Sequence, residues 1–306
     1  MILIVGGTGA LGSATTRRLL SIGTQARIMT RTPEKAANLG KLGAEIVQGD
    51  LLDKTSLIEA CRGVEKVLAS AHSILGRGRE ASKYVDLGGH KDLIDAAKEA
   101  GVGQFVYTSM YNYGPEFETV PFLQYKRTVE RYLQSSGLKF TILRPTAFME
   151  THAELLIGVP ILEKGKVLLF GEGENPRNFI AADDVAPFAV MALEDDDLNG
   201  RTLDIGGPEN LTNMQVVRLY EKLAGRPAKV SHVPLGMLKV MYRVLQPVHP
   251  GLSQVMQSSI YADTVNSIFD PATMLDAYPV SLIRLEDWAA KRVEGARLPQ
   301  SHPARV

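Results

Sequence analysis

Six short apolar runs follow one another through the first half of this chain, each separated from the next by a stretch of helical periodicity. They are ILIVG (2–6), ARIMTR (26–31), AEIVQGD (44–50), KVLASA (66–71), QFVYTS (104–109) and FTILRP (140–145). This rhythm constrains the fold more than any other feature. A strand apolar along its length has no polar side to turn to water, so its sheet is covered on both faces. Helices between such strands make the sheet parallel, which predicts an α/β, doubly wound architecture. The helical stretches end at Gly23, Gly43, Gly63, Gly101 and Gly137, where a left-handed cap is expected. Sheets of this kind collect ligands at the carboxyl ends of their strands.

The first strand runs directly into GGTGALG, so Gly6, Gly9 and Gly12 fall three residues apart between a strand and a helix. Glycines let backbone approach a pyrophosphate, and the helix behind them turns its free N–H groups toward the negative charge. Gly6, Thr8, Gly9, Ala10, Leu11 and Gly12 are therefore candidate dinucleotide contacts, and that context distinguishes the loop from an ordinary glycine-rich turn. At the end of the second strand an NAD site usually carries an acid for the ribose hydroxyl. Here the residues are Thr30, Arg31, Thr32, Pro33, Glu34 and Lys35. Arg31 suits a 2′-phosphate, and Lys35 follows one helical turn on. The expected cofactor is NADP. NAD stays open, because Arg31 could pair with Glu34 and leave that acid to a ribose hydroxyl. Asp50 and Leu51 close the third strand, where Asp50 can accept from an adenine amino group or cap the next helix. Ala69, Ser70 and Thr108 end further strands at the same edge.

Lysine plus arginine equals aspartate plus glutamate at 34 each. This balance argues against nucleic acid held by bulk charge. The single cysteine, Cys61, cannot form an internal disulfide, which fits a reducing, cytoplasmic setting. No signal peptide and no membrane-length apolar run are expected. No His, Cys and acid group has metal-ligand spacing. Residues 1–150 read as the dinucleotide-binding domain. Residues 151–295 read as a smaller substrate lobe interleaved with the main sheet, and 296–306 as a flexible tail. The Met-rich stretch 235–265 holds Met237, Met241 and Met256 at helical spacing. It reads as core or a lid over an apolar site, with a homodimer or peripheral membrane contact as the alternative.

GGTGALG, GDLLD, RPTAF and the later NFIAADDVA and LDIGGPENLTNMQVV resemble, in that order, the short-chain dehydrogenase/reductase superfamily. The resemblance is closest to its atypical NmrA-like, isoflavone-reductase-like branch and covers roughly residues 1–290. It implies a Rossmann domain and an NAD(P)-dependent oxidoreductase acting on a small molecule. The superfamily's usual site is Ser, Tyr and Lys, with Tyr-x-x-x-Lys on one helix. The resemblance places Ser109 and Lys126 at the serine and lysine positions, and Phe122 at the tyrosine position. It makes Pro145, in the RPT turn, a contact for the nicotinamide carboxamide.

Phenylalanine cannot transfer a proton, so three readings stand. Lys126 itself acts, with a pKa lowered in a dry cleft. Alternatively, Tyr113 replaces the missing phenol. In the third reading nothing is turned over, and the chain senses NADP(H) as NmrA-type regulators do. Phe122, Phe148, Met149 and His152 are expected to line a substrate site for a small apolar carbonyl, enone or quinone. Arg144 reads as a structural ion pair, Arg177 precedes an acidic pair, and Asp183 and Asp184 read as a helix cap.

Overall fold

The computed structural model describes residues 1–297, so from residue 298 onward the expected tail lies outside the described residues. The first half contains strands β1 (Ile2–Val5), β2 (Ala26–Thr30), β3 (Glu45–Gln48), β4 (Lys66–Ala69), β5 (Gln104–Thr108) and β6 (Lys139–Pro145). Between them run α1 (Ala10–Ser21), α2 (Ala37–Lys41), α3 (Lys54–Cys61), α4 (His90–Glu99) and α5 (Pro121–Ser135). The second half adds strands β7 (Ala147–Phe148), β8 (Lys166–Phe170), β9 (Arg177–Ile180), β10 (Arg201–Ile205), β11 (Glu209–Leu211) and β12 (Lys229–Val233). Its helices are α6 (Val159–Lys164), α7 (Ala182–Glu194), α8 (Asn213–Ala224), α9 (Leu235–Leu245), α10 (Pro250–Thr264), α11 (Ala272–Ala277) and α12 (Leu285–Arg297).

The main sheet has seven strands in the order β10-β6-β5-β4-β1-β2-β3. Every pairing in it is parallel. Strand order reverses between β1 and β4, so the glycine loop lies at the switch point where such sheets bind ligands. Alternate residues of one strand feed opposite layers. Ile2 and Ile4 meet Leu68, Val106 and Phe188 on the α1/α7 side. Leu3 and Val5 meet Phe105, Leu57 and Val129 on the α3/α4/α5 side. Both parities are buried, which is why the strands read as unbroken apolar runs. Each such Leu, Ile or Phe contributes about 1.5–3 kcal/mol of burial. All five glycines expected to end helices have positive φ, from 70° at Gly63 to 103° at Gly43.

The second half interleaves with the first. β10 and α7 return to the main layer, while β11-β9-β7 and β12-β8 form two small sheets. These pack around Ile161, Leu169, Phe179, Tyr220 and Trp288. Met149 belongs to that core with 0% exposure, so it lines no open cleft, contrary to the sequence expectation. Phe148 also differs, packing against the α1/α7 layer. The Met-rich segment breaks at 246–249, as its prolines suggest. Leu238 and Met256 are buried, but Met237, Val240, Val244 and Val248 are exposed. Among the described residues no helix is long and apolar enough to cross a membrane.

Candidate functional site

Gly6 has φ 93°, a backbone state that side chains strain to adopt. A Cβ there would stand 2.6 Å from the amide nitrogen of Ala71, and one on Gly12 would collide with the Gly6 carbonyl oxygen. Gly9 caps α1 without a side chain, and no acid sits in the first turn. The helix end therefore presents orphan N–H groups to solvent beside a cradle that only glycine can line. These residues fit a dinucleotide pyrophosphate.

The flanking residues arrange themselves around that loop. The Thr30 hydroxyl accepts the Thr32 N–H at 3.2 Å and fixes the turn. Arg31 pairs with Glu80 at 3.2 Å, not with Glu34, and both side chains are more than half exposed. Such a pair is worth at most about 1 kcal/mol, so Arg31 is available to a phosphate, and Lys35 is exposed nearby. Asp50 Oδ1 accepts the Leu52 N–H in a local turn, while Asp53 caps α3. The capping alternative for Asp50 is thereby corrected. Leu51 is core, and the Ser70 N–H and hydroxyl both donate to the Val5 carbonyl.

Lys126 does not form the solvated helical pair that its sequence spacing with Glu130 suggests. It is 5% exposed, and its Nζ donates to the Thr108 carbonyl at 3.1 Å. Nζ lies 5.0 Å from the Tyr107 ring centroid and 5.7 Å from that of Phe122. Glu130 turns instead to Arg144, with bonds of 3.1 and 2.6 Å, and to Arg127, which confirms the structural reading of Arg144. Burial lowers the Lys126 pKa, opposed only in part by the charges of Asp86 and Glu130. The Asp86 carboxylate is itself held by the Ser73 N–H and the Ser82 hydroxyl. Around the lysine the Tyr107 hydroxyl, Thr108 Oγ1, Ser109 Oγ and His90 Nε2 are buried without hydrogen-bond partners. Burial would raise the Glu130 carboxyl, but its bonds to Arg144 and the Arg127 charge hold it below its ordinary range. Such a concentration of unpartnered polar atoms is unusual in a fold and marks a place prepared for something else.

Beside the lysine the packing comes from both halves of the chain. Phe122, Phe117 and Tyr261 form an aromatic cluster with Tyr113 packed against it. His72, which sequence reasoning missed, stacks edge-on to Phe122 at 6.3 Å. Its ring reaches solvent yet is hemmed in by protein, and desolvation, then the Lys126 charge, lower its pKa. Its position just beyond β4, at the binding edge, was the available signal. His152 and Arg177 face the same space. Desolvation, then Arg177, pushes the His152 pKa well down, so the imidazole is neutral and cannot donate as an imidazolium. Burial raises the Tyr113 pKa, against the opposing Arg177 charge. α10 closes over this region. Tyr261 comes from it, and a Cβ on Gly251 would strike the Leu75 backbone. A cavity of about 320 Å³ opens beside Tyr125, between α5 and α10. A larger hollow beside Asp184 and Asp287 contains none of the candidate residues.

Three other expectations resolve simply. The Pro145 carbonyl already accepts the Tyr111 N–H at 3.0 Å. Asp183 and Asp184 do not cap α7: Glu150 Oε1 accepts the Ala182 N–H, and Asp184 takes that of Ile283. Cys61 is a buried core residue whose thiol is pushed up to about 11 by burial.

The switch-point glycine loop and the lysine behind it define a dinucleotide-binding protein of the atypical short-chain type. The chain belongs to the NmrA-like family, whose model matches residues 1–277. It is similar to the photosystem II assembly factor Ycf39 of Cyanophora paradoxa, 33% identical over 78% of this chain and 73% of that one. It is also similar to an NAD(P)H azoreductase of Xenophilus azovorans, 30% identical over 78% and 79% of the two chains. Among solved structures, the NADPH-dependent quinone oxidoreductase QOR2 of Escherichia coli, complexed with NADPH, aligns with TM-score 0.74. The identity there is 25%, over 97% of this chain and 99% of the other. The family is one of NAD(P)H-dependent reductases among others, and the expected cofactor is the one these reductases use.

Proposed function

We propose that the chain is an NADPH-dependent reductase of conjugated carbonyls, quinones or enones, built around a lysine without the usual tyrosine. The observation that carries this reading is Lys126. It is a desolvated ammonium held by one backbone carbonyl, at the strand edge beside the glycine loop. Gly6, Gly9, Gly12 and the first turn of α1 hold the pyrophosphate, and Arg31 with Lys35 takes the 2′-phosphate. When bound, the dinucleotide supplies the hydride. Lys126 supplies the balancing proton to the substrate oxygen, and its lowered pKa makes it a stronger acid than a free lysine. Phe122, Tyr113 and Tyr261 give the substrate an apolar bed and keep water from the ammonium. The coupling of hydride to carbon and proton to oxygen needs no further oxidant or reductant.

A second reading is favoured by two observations: the phenol position is Phe122, and a 33% identical relative is named as an assembly factor. In that reading the chain binds the dinucleotide and turns over nothing. The test is NADPH oxidation by the purified protein against quinones, enones and azo dyes, with Lys126→Ala alongside. Turnover that falls at least a hundredfold in the variant supports the reductase. Tight NADPH binding, read by its fluorescence, with no oxidation across the panel moves the assignment to the binding protein.

A further inference from the structure

Arg177 opens β9, directly before Asn178. The two residues contrast sharply. Asn178 is fully engaged: its Oδ1 accepts from the Thr146 hydroxyl and the Gly207 N–H. Its Nδ2 donates to the Gly207 and Glu209 carbonyls and to Asn210 Oδ1. Among the described residues no ion pair holds the Arg177 guanidinium, and its Nε is buried with no hydrogen-bond partner. Its one side-chain contact of defined geometry is the Phe179 ring, 5.3 Å from Cζ. The backbone on either side is clamped, by β11 on one flank and by a bridge to Ser267 on the other. The side chain therefore sits where it does because the sheet holds it there.

The groups facing it offer a lone cation no anion. His152 and Tyr113, both neutral, feel its charge, and His72 lies between His152 and Lys126 in the same electrostatic chain. No acid acts on its charge, and the two acids that act on Lys126 are committed elsewhere, Asp86 to Ser73 and Ser82, and Glu130 to Arg127 and Arg144. Arg177 is partly buried, with only its Nε wholly enclosed, and a guanidinium drawn from water without an anion recovers none of its lost hydration by pairing. Every other arginine in a comparably enclosed position here has its acid: Arg127 and Arg144 share Glu130. Among the described residues Arg177, stacked on Phe179 and beside Tyr113, is partly buried with no acid for its planar fork, the geometry that matches a carboxylate, sulfonate or phosphate bidentately.

We infer that Arg177, with His152 and the Tyr113 hydroxyl beside it, forms a subsite for an oxyanionic group on the substrate. The inference rests on the reductase reading for the word substrate, and it revises that reading from a wholly apolar molecule to a conjugated carbonyl with an acidic substituent. The ring lies against Phe122 and Tyr261, its oxygen toward Lys126, and the anion toward Arg177.

The test uses a matched pair of probes, anthraquinone-2-sulfonate and 2-hydroxymethylanthraquinone. Each is titrated calorimetrically into the full chain saturated with NADP⁺, so that no turnover occurs. Wild type is expected to bind the sulfonate at least tenfold more tightly than the neutral probe. In Arg177→Gln the two affinities should come within threefold of each other, and Arg177→Lys should keep an intermediate preference that weakens with salt. Equal affinities in wild type, no binding of either probe, or an unchanged preference in Arg177→Gln overturns the subsite. Unfolding midpoints of both variants are measured beside the titrations, and the lysine variant decides should the glutamine one fail to fold. The same two quinones are then offered with NADPH. A retained sulfonate preference in binding with no oxidation of NADPH refutes the reductase and leaves the anion subsite standing.

Discussion

Lys126→Met separates the chemistry of the site from the stability of the fold. Met has nearly the length of the lysine stem and no charge. In the folded protein burial disfavours the Lys126 ammonium, so its folded pKa lies below the unfolded value of about 10.4. The sign follows: the penalty is carried in full below the folded pKa and fades as the pH rises toward the unfolded one. Removing the charge returns that penalty. Against it stands the single bond to Thr108, whose loss costs about 0.5–1.5 kcal/mol. Unfolding entropy of about 2.1 cal/mol/K per residue over 306 residues makes 1 kcal/mol worth about 1.6 °C. The variant is therefore expected to melt no more than about 2 °C below wild type at pH 7, and at or above it if the charge penalty exceeds the lost bond. Its rate of NADPH oxidation should fall by about 10²–10⁴, the contribution of a positioned proton donor. Calorimetric melting and stopped-flow oxidation are the assays. A midpoint lowered by more than about 4 °C would mean that Asp86 and Glu130 more than compensate the charge, and an unchanged rate would remove Lys126 from the chemistry.

Glu130→Gln should do the opposite to stability. It leaves Arg127 buried without its carboxylate, a loss of about 3–5 kcal/mol, or about 5–8 °C by thermal melting. Because the Glu130 pKa is lowered in the fold, this deficit should shrink as the pH falls below about 4, where wild type also protonates. Gly12→Ala places a Cβ against backbone that cannot yield, and NADPH affinity by fluorescence titration should weaken at least tenfold. Arg31→Ala should reduce the preference for NADPH over NADH at least tenfold in the same titration, while leaving the melting point within about 1 °C because its pair with Glu80 is exposed. Phe122→Tyr, by offering the lysine a hydroxyl partner, should move the alkaline limb of the kcat/KM profile to higher pH. An unmoved limb would separate that limb from Lys126.

Much of this was legible in the residues. The six apolar runs are strands because both of their faces are covered, and the glycines that end helices do so at positive φ. The loop GGTGALG carries its meaning locally, through backbone that only glycine can supply. What the sequence withheld was partner choice. Glu130 stands at helical spacing from Lys126 yet binds Arg127 and Arg144, because the arginine forks reach it from its own helix and from β6. Asp183 and Asp184 look like a cap, but Glu150 from a distant segment takes the role. Met149 looked like a pocket wall and is core, since a thioether packs equally well in either place. His72 and Arg177 lie 105 residues apart, and only the fold brings both beside His152.

The loss of the tyrosine and the state of the lysine are one event. In the usual arrangement the resemblance implies, a phenol stands one helical turn before the lysine. Phe122 offers only a ring face 5.7 Å away, and its neighbours Phe117 and Tyr261 keep water off the same side. A cation–π contact contributes about 1–2 kcal/mol, less than the hydration given up when an ammonium enters such a place. The balance destabilises the ammonium relative to its free state, as the lowered pKa records, and makes it a stronger acid. On the proposed reading, the substitution that removes one proton donor therefore makes the remaining group a stronger acid. An active site could pass from tyrosine to lysine chemistry by this single change, without the helix, the strand edge or the glycine loop moving.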